Sequence, residues 1–413
     1  MPRQMKESGV LWIGEMPKDW SLRRLRYLCS ISTGNQDTQD NDPEGEYPFY
    51  VRSPIVEHSR KWTFEGPSIL MAGDGAGAGK VFHYVDGKYG CHQRVYSMQN
   101  FVDANRRFVY YFMQNRFWVA IDLANSKSTV DSVRLPMLQD FWIPLPDINE
   151  QQKIADFLDM KCSHIDSVLE QTRVSIDEYK KLKQAAVTQA VIKGVRGDRA
   201  MKDSEVEWLG NIPVDWNVYR IANLYDERSE SGLEELPILT VSINTGVSDH
   251  EIADEDKDRV FVRSEDRTKY KRVYPGDLAY NMIRAWQGAF GAVRVDGMVS
   301  PAYVVAKPKK NVKLDSRYME ALLRTSEATE EMHRFSRGIV DFRLRLYWPE
   351  FKNIRICLPP IAEQIEIADY IDEKSAAIDA LIAKKEAFAA ELENYKKSMI
   401  YEYVTGKKEV PQS

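Results

Sequence analysis

LPDINEQQKIADFLDMKCSHID, Leu145 to Asp166, comes back 213 residues later as LPPIAEQIEIADYIDEKSAAID, Leu358 to Asp379. Each copy opens a stretch, about Asn149 to Lys193 and about Ala362 to Thr405, that holds no glycine and no proline. Apolar residues recur there near every 3.5 positions: Leu158, Ile165, Tyr179 and Ala186 in the first, Ile371, Ile378, Leu392 and Met399 in the second, with Leu169, Ile176, Ile382 and Phe388 beside them. That period marks a helix whose apolar seam is covered by another helix. At 1.5 Å per residue, about 40 residues make a rod of roughly 60 Å, longer than a compact domain needs. The same heptad column carries Thr172 in one copy and Lys385 in the other, a polar break suited to fixing register. Antiparallel pairing of the two copies would bury each seam on its own repeat; two separately solvated amphipathic helices are the alternative.

The repeat extends beyond the helices. MKESGVLWIGEMPKDWSLRRLRYL, Met5 to Leu28, returns after 196 residues as MKDSEVEWLGNIPVDWNVYRIANL, Met201 to Leu224, with Trp12/Trp208, Gly14/Gly210, Pro17/Pro213 and Trp20/Trp216 in register. Weaker echoes join YVDGKYG (84–90) to RVDGMVS (294–300) and Val130-Asp131 to Val340-Asp341. The chain is a tandem duplication, and internal repeats of this kind decide the architecture before any local reading does. The expected division is a leading segment (1–19), a globular region (20–143), a helix (144–197), a second leading segment (198–215), a second globular region (216–356), and a second helix with a tail (357–413). Strand-like runs such as Lys80 to Val85, Val95 to Met98, Ile238 to Ile243 and Ala302 to Ala306 stand among Gly, Asp-Gly and Pro-Gly turns, with helical patterns at Arg106 to Ile121 and Ser316 to His333. The fold class is therefore α/β in the α+β sense: two mixed domains on a pair of long antiparallel helices with internal pseudo-twofold symmetry.

Composition narrows the class of function. With 413 residues, 43% hydrophobic and 29% charged, the chain has material for about three folding units and is neither disordered nor fibrous. No apolar run approaches the roughly 18 residues of a membrane span, and Met1 to Val10 lacks a signal peptide's apolar stretch, so a cytoplasmic protein is expected. Cys29, Cys91, Cys162 and Cys357 lie far apart with no CxxC spacing, which points to reduced structural thiols and to no zinc site. Net charge is −5, from 57 Lys+Arg against 62 Asp+Glu. The globular regions themselves are balanced, at 14 against 13 for residues 20–143 and 23 against 22 for residues 216–356, so any basic surface is local.

Catalytic motifs fail on inspection. The Asn/Asp-Pro-Pro-aromatic string of an adenine methyltransferase is absent, since Leu358-Pro359-Pro360 supplies neither the amide or acid nor the aromatic. GDGAGAGK (73–80) places Asp74 where a phosphate loop needs glycine and Val81 where it needs Ser or Thr, which leaves a surface turn or a loop near a DNA backbone. Cys91 and His92 are adjacent on a strand and point to opposite faces, against a nucleophile–base pair. A duplicated chain with matched helices and divergent globular regions instead suits a ligand that offers two separated and different sites. Duplex DNA is the polymer of that description.

The residues quoted above carry a family resemblance. The doubled MKxSxVxWxGxxPxDW motif, the LPxIxEQxxIADxxDxKxxxID helix starts, RAWQGAFG (284–291), VSPAY (299–303) and VTG (404–406) together look like a specificity subunit of a type I restriction-modification system. The resemblance implies two target-recognition domains that each read half of an interrupted DNA sequence, and conserved helices that dock two modification subunits. It also implies that S-adenosylmethionine, ATP and Mg²⁺ belong to partner modification and restriction subunits, so that this chain binds no cofactor or metal and has no catalytic residue. Base reading wants Arg, Lys, Asn, Gln or a hydroxyl on loops. The candidates are Arg52, His58, Arg60, Lys61, Lys80, His92, Gln93 and Arg94 in the first region and Lys269, Lys271, Arg272, Asn281, Arg284, Gln287, Arg343 and Arg345 in the second. Trp286 reads as core, and the four repeated tryptophans as packing against the helices. A non-enzymatic coiled-coil scaffold for proteins is the competing function, supported by the near-neutral charge.

Overall fold

A computed structural model describes residues 3–124, 132–251, 267–338 and 344–411. Val130, Asp131, Val340, Asp341 and the candidate Arg343 lie outside the described residues. The chain divides into two compact units, one comprising Met1–Arg173 with Glu386–Ser413, the other Val174–Lys385. Both long helices are continuous, Ile148–Lys193 and Ile361–Val404, and each contributes to both units.

In the first unit a hairpin pairs Met5–Glu7 with Glu15–Pro17. The next strand, Ser21–Arg24, pairs antiparallel with Trp142–Leu145, the strand that feeds the first long helix. The globular region is thus tied shut at its two sequence-distant ends. Between them lie two four-stranded sheets, ordered 57–59, 47–50, 88–91, 64–65 and 30–33, 95–99, 68–72, 82–85, with helix Arg106–Ala124. Only the pairing of 47–50 with 88–91 is parallel among these. Ile69, Met71, Phe108, Phe112, Phe117, Leu138 and Ile143 form the core, which runs on into Ile154, Leu158 and Ile165 of the first long helix and Met399 of the second. Full burial of each such side chain stabilises by about 1.5–3 kcal/mol.

The second unit repeats the frame and changes the filling. Hairpin strands Met201–Asp203 and Asn211–Pro213 are followed by the antiparallel pair Asn217–Arg220 and Arg355–Leu358. The filling is one four-stranded sheet, ordered 225–227, 303–308, 278–281, 290–292, with two short two-stranded pairs, 241–242 with 246–247 and 271–273 with 297–299. The run Ile238 to Ile243, expected to be a strand, is ordered as a strand only at Val241–Ser242. The helical pattern from Ser316 to His333 breaks into Ser316–Leu323 and Ser326–Phe335, because the Thr325 hydroxyl accepts the Ala328 N–H at 3.2 Å and so caps a new helix.

Within each unit the long helices pack antiparallel. In the first, Lys396 bonds Asp166 at 2.6 Å and Arg173 meets Glu393 at 3.0 Å; in the second, Lys183 bonds Asp379 at 2.6 Å while Ile176 packs on Ile378 and Ile382. The expected seam holds at Leu158, Ile165, Leu169, Ile176, Ile371, Ile378, Ile382 and Met399, all buried. Phe388 departs from it and stands 48% exposed, with Ala389 turned to the core in its place. Nor is the polar break matched in kind: Thr172 returns its hydroxyl to the Val168 carbonyl at 2.8 Å, while the Lys385 ammonium lies 5.7 Å from the Tyr179 ring centre.

All four cysteines are buried thiols, and burial pushes Cys29, Cys91 and Cys357 up to about 12. Among the described residues no helix is long and apolar enough to cross a membrane.

Candidate nucleic-acid interface

The surfaces that would meet a ligand rest on a foundation built twice. In the first unit Arg3 bonds Glu150 at 2.6 Å and Asp19 at 3.0 Å, and the buried indole of Trp20 donates to Glu150 at 3.2 Å. In the second, Arg199 grips Glu363 and bonds Asp215 at 2.6 Å, and Trp216 donates to Glu363 at 3.1 Å. Each glutamate stands in the first turn of a long helix, where a carboxylate also complements the helix dipole. Other contacts recur: Trp12 Nε1 reaches the Trp142 carbonyl and Trp208 Nε1 the Arg355 carbonyl, while Gln151 and Gln364 each donate to a proline carbonyl five residues before. The four repeated tryptophans therefore serve packing, as their recurrence suggested. Both long helices end on a left-handed glycine. A Cβ on Gly194 would lie 3.3 Å from Trp216, and one on Gly406 3.0 Å from Trp20, so each helix end presses on its unit's clasp.

On the first unit, several candidates converge on the glycine-rich segment 73–80. Far from a loose turn, that segment is bonded throughout: Ala72 N–H to the Val81 carbonyl, Gly79 N–H to Ala72, Lys80 and Val81 N–H to Gly77, and Val133 N–H to Gly73 at 2.7 Å. Its one acidic side chain, Asp74, takes Arg52 on Oδ1 at 3.2 Å and Arg94 on Oδ2. Partial burial alone would raise the Asp74 carboxyl, but the hydrogen bonds from Arg94 and Arg52 outweigh it and hold the group below its usual range. Gln93 donates to Asp37 at 3.2 Å beside them. His92 is 2% exposed; its Nδ1 accepts the Arg94 N–H at 3.0 Å, which makes it a prop for Arg94 rather than an offered side chain. Arg60 pairs with Asp42, His58 Nδ1 faces the Gly45 carbonyl at 3.2 Å, and Lys61 is exposed. Lys80 lies apart, with its ammonium 3.8 Å from the Trp118 ring centre.

On the second unit, Tyr303 is the hub. Its carbonyl accepts from Lys271 at 2.7 Å, it faces Asn281 across the strand pair, and Arg284 is close enough to lower its hydroxyl against the larger raising effect of burial. Arg284 and Gln287 flank a short 3-10 turn closed by left-handed Gly288. Arg345 is exposed one residue before Leu346, whose N–H bonds the Met282 carbonyl at 2.9 Å, so that segment borders the same turn. Arg272 stacks 4.6 Å from the Tyr274 ring centre, and Lys269 is exposed on its own 3-10 turn. Trp286 is half-buried, donates to Ile283 at 3.0 Å and packs on His333, in keeping with a core role.

Sequence reasoning found the cations and missed what holds them. In the sequence Asp74 stands out only as the residue that spoils a phosphate loop, and Asp37 and Tyr303 carry no signal, because an acid or a tyrosine in a neutral region signals nothing until the fold sets it beside a candidate. Chemically the two clusters offer guanidinium and amide groups on short, glycine-braced turns, a set suited to base edges and phosphates.

Residues 17–171 match the family model of the type I restriction modification DNA specificity domain. The chain is 24% identical over 412 residues to the type I restriction enzyme EcoDI specificity subunit of Escherichia coli, covering 94% of this chain and 88% of that one. It is 25% identical over 425 residues to the MjaVIII specificity subunit of Methanocaldococcus jannaschii, covering 95% and 93%. In fold it resembles a chain from a solved structure concerned with complex assembly and conformational transition of the type I R-M system, with TM-score 0.65 at 17% identity, covering 95% of this chain and 99% of that one. The chain is thus similar along nearly its whole length to specificity subunits of type I restriction-modification systems, and its residues 17–171 match the DNA specificity domain of that family.

Proposed function

We propose that this chain is the non-catalytic, cytoplasmic DNA reader of a type I restriction-modification complex. Residues 20–143 and 216–356 act as two target-recognition domains, each for one half of an interrupted sequence. The helical segments 144–197 and 357–413 dock modification subunits, which bind S-adenosylmethionine and methylate adenine. Restriction subunits, using ATP and Mg²⁺, supply translocation and cleavage.

The observation that carries this reading is the contrast between the two levels of each unit. Arg3, Trp20 and Glu150 correspond contact for contact to Arg199, Trp216 and Glu363, whereas the cluster on Asp74 has no counterpart in the cluster around Tyr303. A shared foundation suits one kind of partner taken in two copies. Unlike turns suit two different half-sites. Phosphate contacts would set register and turn side chains would read base edges, with base extrusion left to the modification subunits.

Gel shifts of the chain with its modification partner, on sites taken from the methylome of cells that carry both, test the reading. Retention of interrupted sites over scrambled duplex supports it. Failure to bind any DNA sequence at low salt favours a protein scaffold, and methylation by the isolated chain would make it an enzyme.

A further inference from the structure

The Arg52–Asp74–Arg94 cluster is built more elaborately than a surface ion pair requires. Asp74 is rooted in the fold: its side chain is 14% exposed, it bridges to Ser132, and Gly73 beside it donates to the Arg94 carbonyl at 2.8 Å. Glycine is required on both sides of it. A Cβ on Gly73 would come within 2.9 Å of the Arg94 carbonyl, and one on Gly77 within 2.4 Å of the Arg52 carbonyl, so the segments that deliver the two arginines run hard against the loop. Yet both guanidinium groups remain open, Arg52 at 43% and Arg94 at 59%. Each bonds Asp74 through Nη1 alone, which leaves Nε and Nη2 of each without a partner among the described residues.

A carboxylate behind an arginine does two things. It fixes the plane of the fork, so less side-chain entropy is lost on binding. It also cancels part of the charge, which is a disadvantage for gripping phosphate and none for a hydrogen-bonded base edge. A planar two-pronged donor of this kind matches the O6 and N7 acceptors that guanine presents in the major groove. Asp74 accepts one arginine on each oxygen and is only 14% exposed, so the more open guanidinium groups are the ones offered to a ligand.

Resting on the DNA-reading function above, we propose that Arg94 reads a guanine in the half-site taken by the first unit, with Asp74 as its positioning residue and Arg52 as the second arginine of the same clamp. The half-site then contains at least one G·C pair whose identity depends on Arg94. His92, though buried, takes part by holding the Arg94 N–H.

The test uses the complex of the full chain with its modification partner. The wild-type methylome gives both half-sites; Arg94→Ala, Arg94→Lys and Asp74→Asn are then compared on every single-base variant of them. The expected result is a loss of roughly 5- to 150-fold discrimination at one G·C position of one half-site for all three variants, with the other half-site unchanged. Arg94→Lys keeps the charge and loses the fork, so its salt dependence should match wild type. Asp74→Asn should relax the same position without touching a base. A uniform loss of affinity for Arg94→Ala with every base preference intact, and a salt slope shallower by about one, would assign Arg94 to phosphate and overturn the proposal. Half-sites that both lack guanine would overturn it as well. Should the wild-type complex show no sequence preference, the DNA-reading function itself fails; specific wild-type binding with an unchanged Arg94→Ala motif sinks the clamp alone.

Discussion

The indole of Trp216 donates to the carboxylate of Glu363 at 3.1 Å, and both side chains are all but closed to solvent. Arg199 completes the group from the turn that follows the first long helix. Removing Glu363 leaves the buried Trp216 N–H without this acceptor and takes from Arg199, whose side chain is 15% exposed, one of its two carboxylates, with Asp215 remaining; an unsatisfied buried donor alone costs about 1–3 kcal/mol. Glu363→Ala should therefore lower the stability of the second unit by a few kcal/mol in urea denaturation. The Glu150 side chain is 25% exposed, so Glu150→Ala should cost less. Equal losses would mean that burial does not set the worth of this clasp.

The helix seam makes a sharper contrast. Leu158 is fully buried in the core of the first unit, whereas Phe388 is about half exposed. Leu158→Ala should destabilise by about 2–5 kcal/mol and Phe388→Ser by about 1 kcal/mol. Thermal unfolding followed by far-ultraviolet circular dichroism measures both.

Thiol chemistry gives a pH dependence. Burial lifts Cys29, Cys91 and Cys357 from an ordinary 9.0 to about 12. The folded state therefore keeps the proton longer than the unfolded chain. The stability this contributes is fully present below about pH 9 and is lost as pH rises toward 12, at about 1.4 kcal/mol per thiol per pH unit. Iodoacetamide at pH 8 should label none of the three in the native protein and all of them in urea. Fast native labelling would contradict their burial.

Independent reading is tested by exchange. Replacing residues 20–143 with the corresponding region of a relative should alter one half-site in the methylome and spare the other. Alteration of both would tie the two readers together.

How much of this was legible beforehand differs by length scale. The long helices were readable to within a residue or two, because a stretch without glycine or proline that keeps a heptad seam has one economical structure. The duplication was readable for the same reason. Inside the globular regions the reading thinned. Thr325 gives no sign in sequence that its hydroxyl will cap a new helix instead of continuing the old one. The parallel pairing of 47–50 with 88–91 joins strands some forty residues apart, which short-range alternation does not encode. The cations of the candidate interface could be picked out by type, but their grouping on Asp74 and around Tyr303 depends on those non-local pairings.

The clasps at the helix starts share no side chain with the turns that carry Arg52, Arg94 and Arg284. Substitution of the exposed guanidinium and amide groups on those turns therefore leaves every contact of the clasps in place. A lineage is free to retarget by substituting exposed arginines and amides while its melting behaviour stays nearly constant, so closely related chains of equal robustness should be found to prefer quite different sequences.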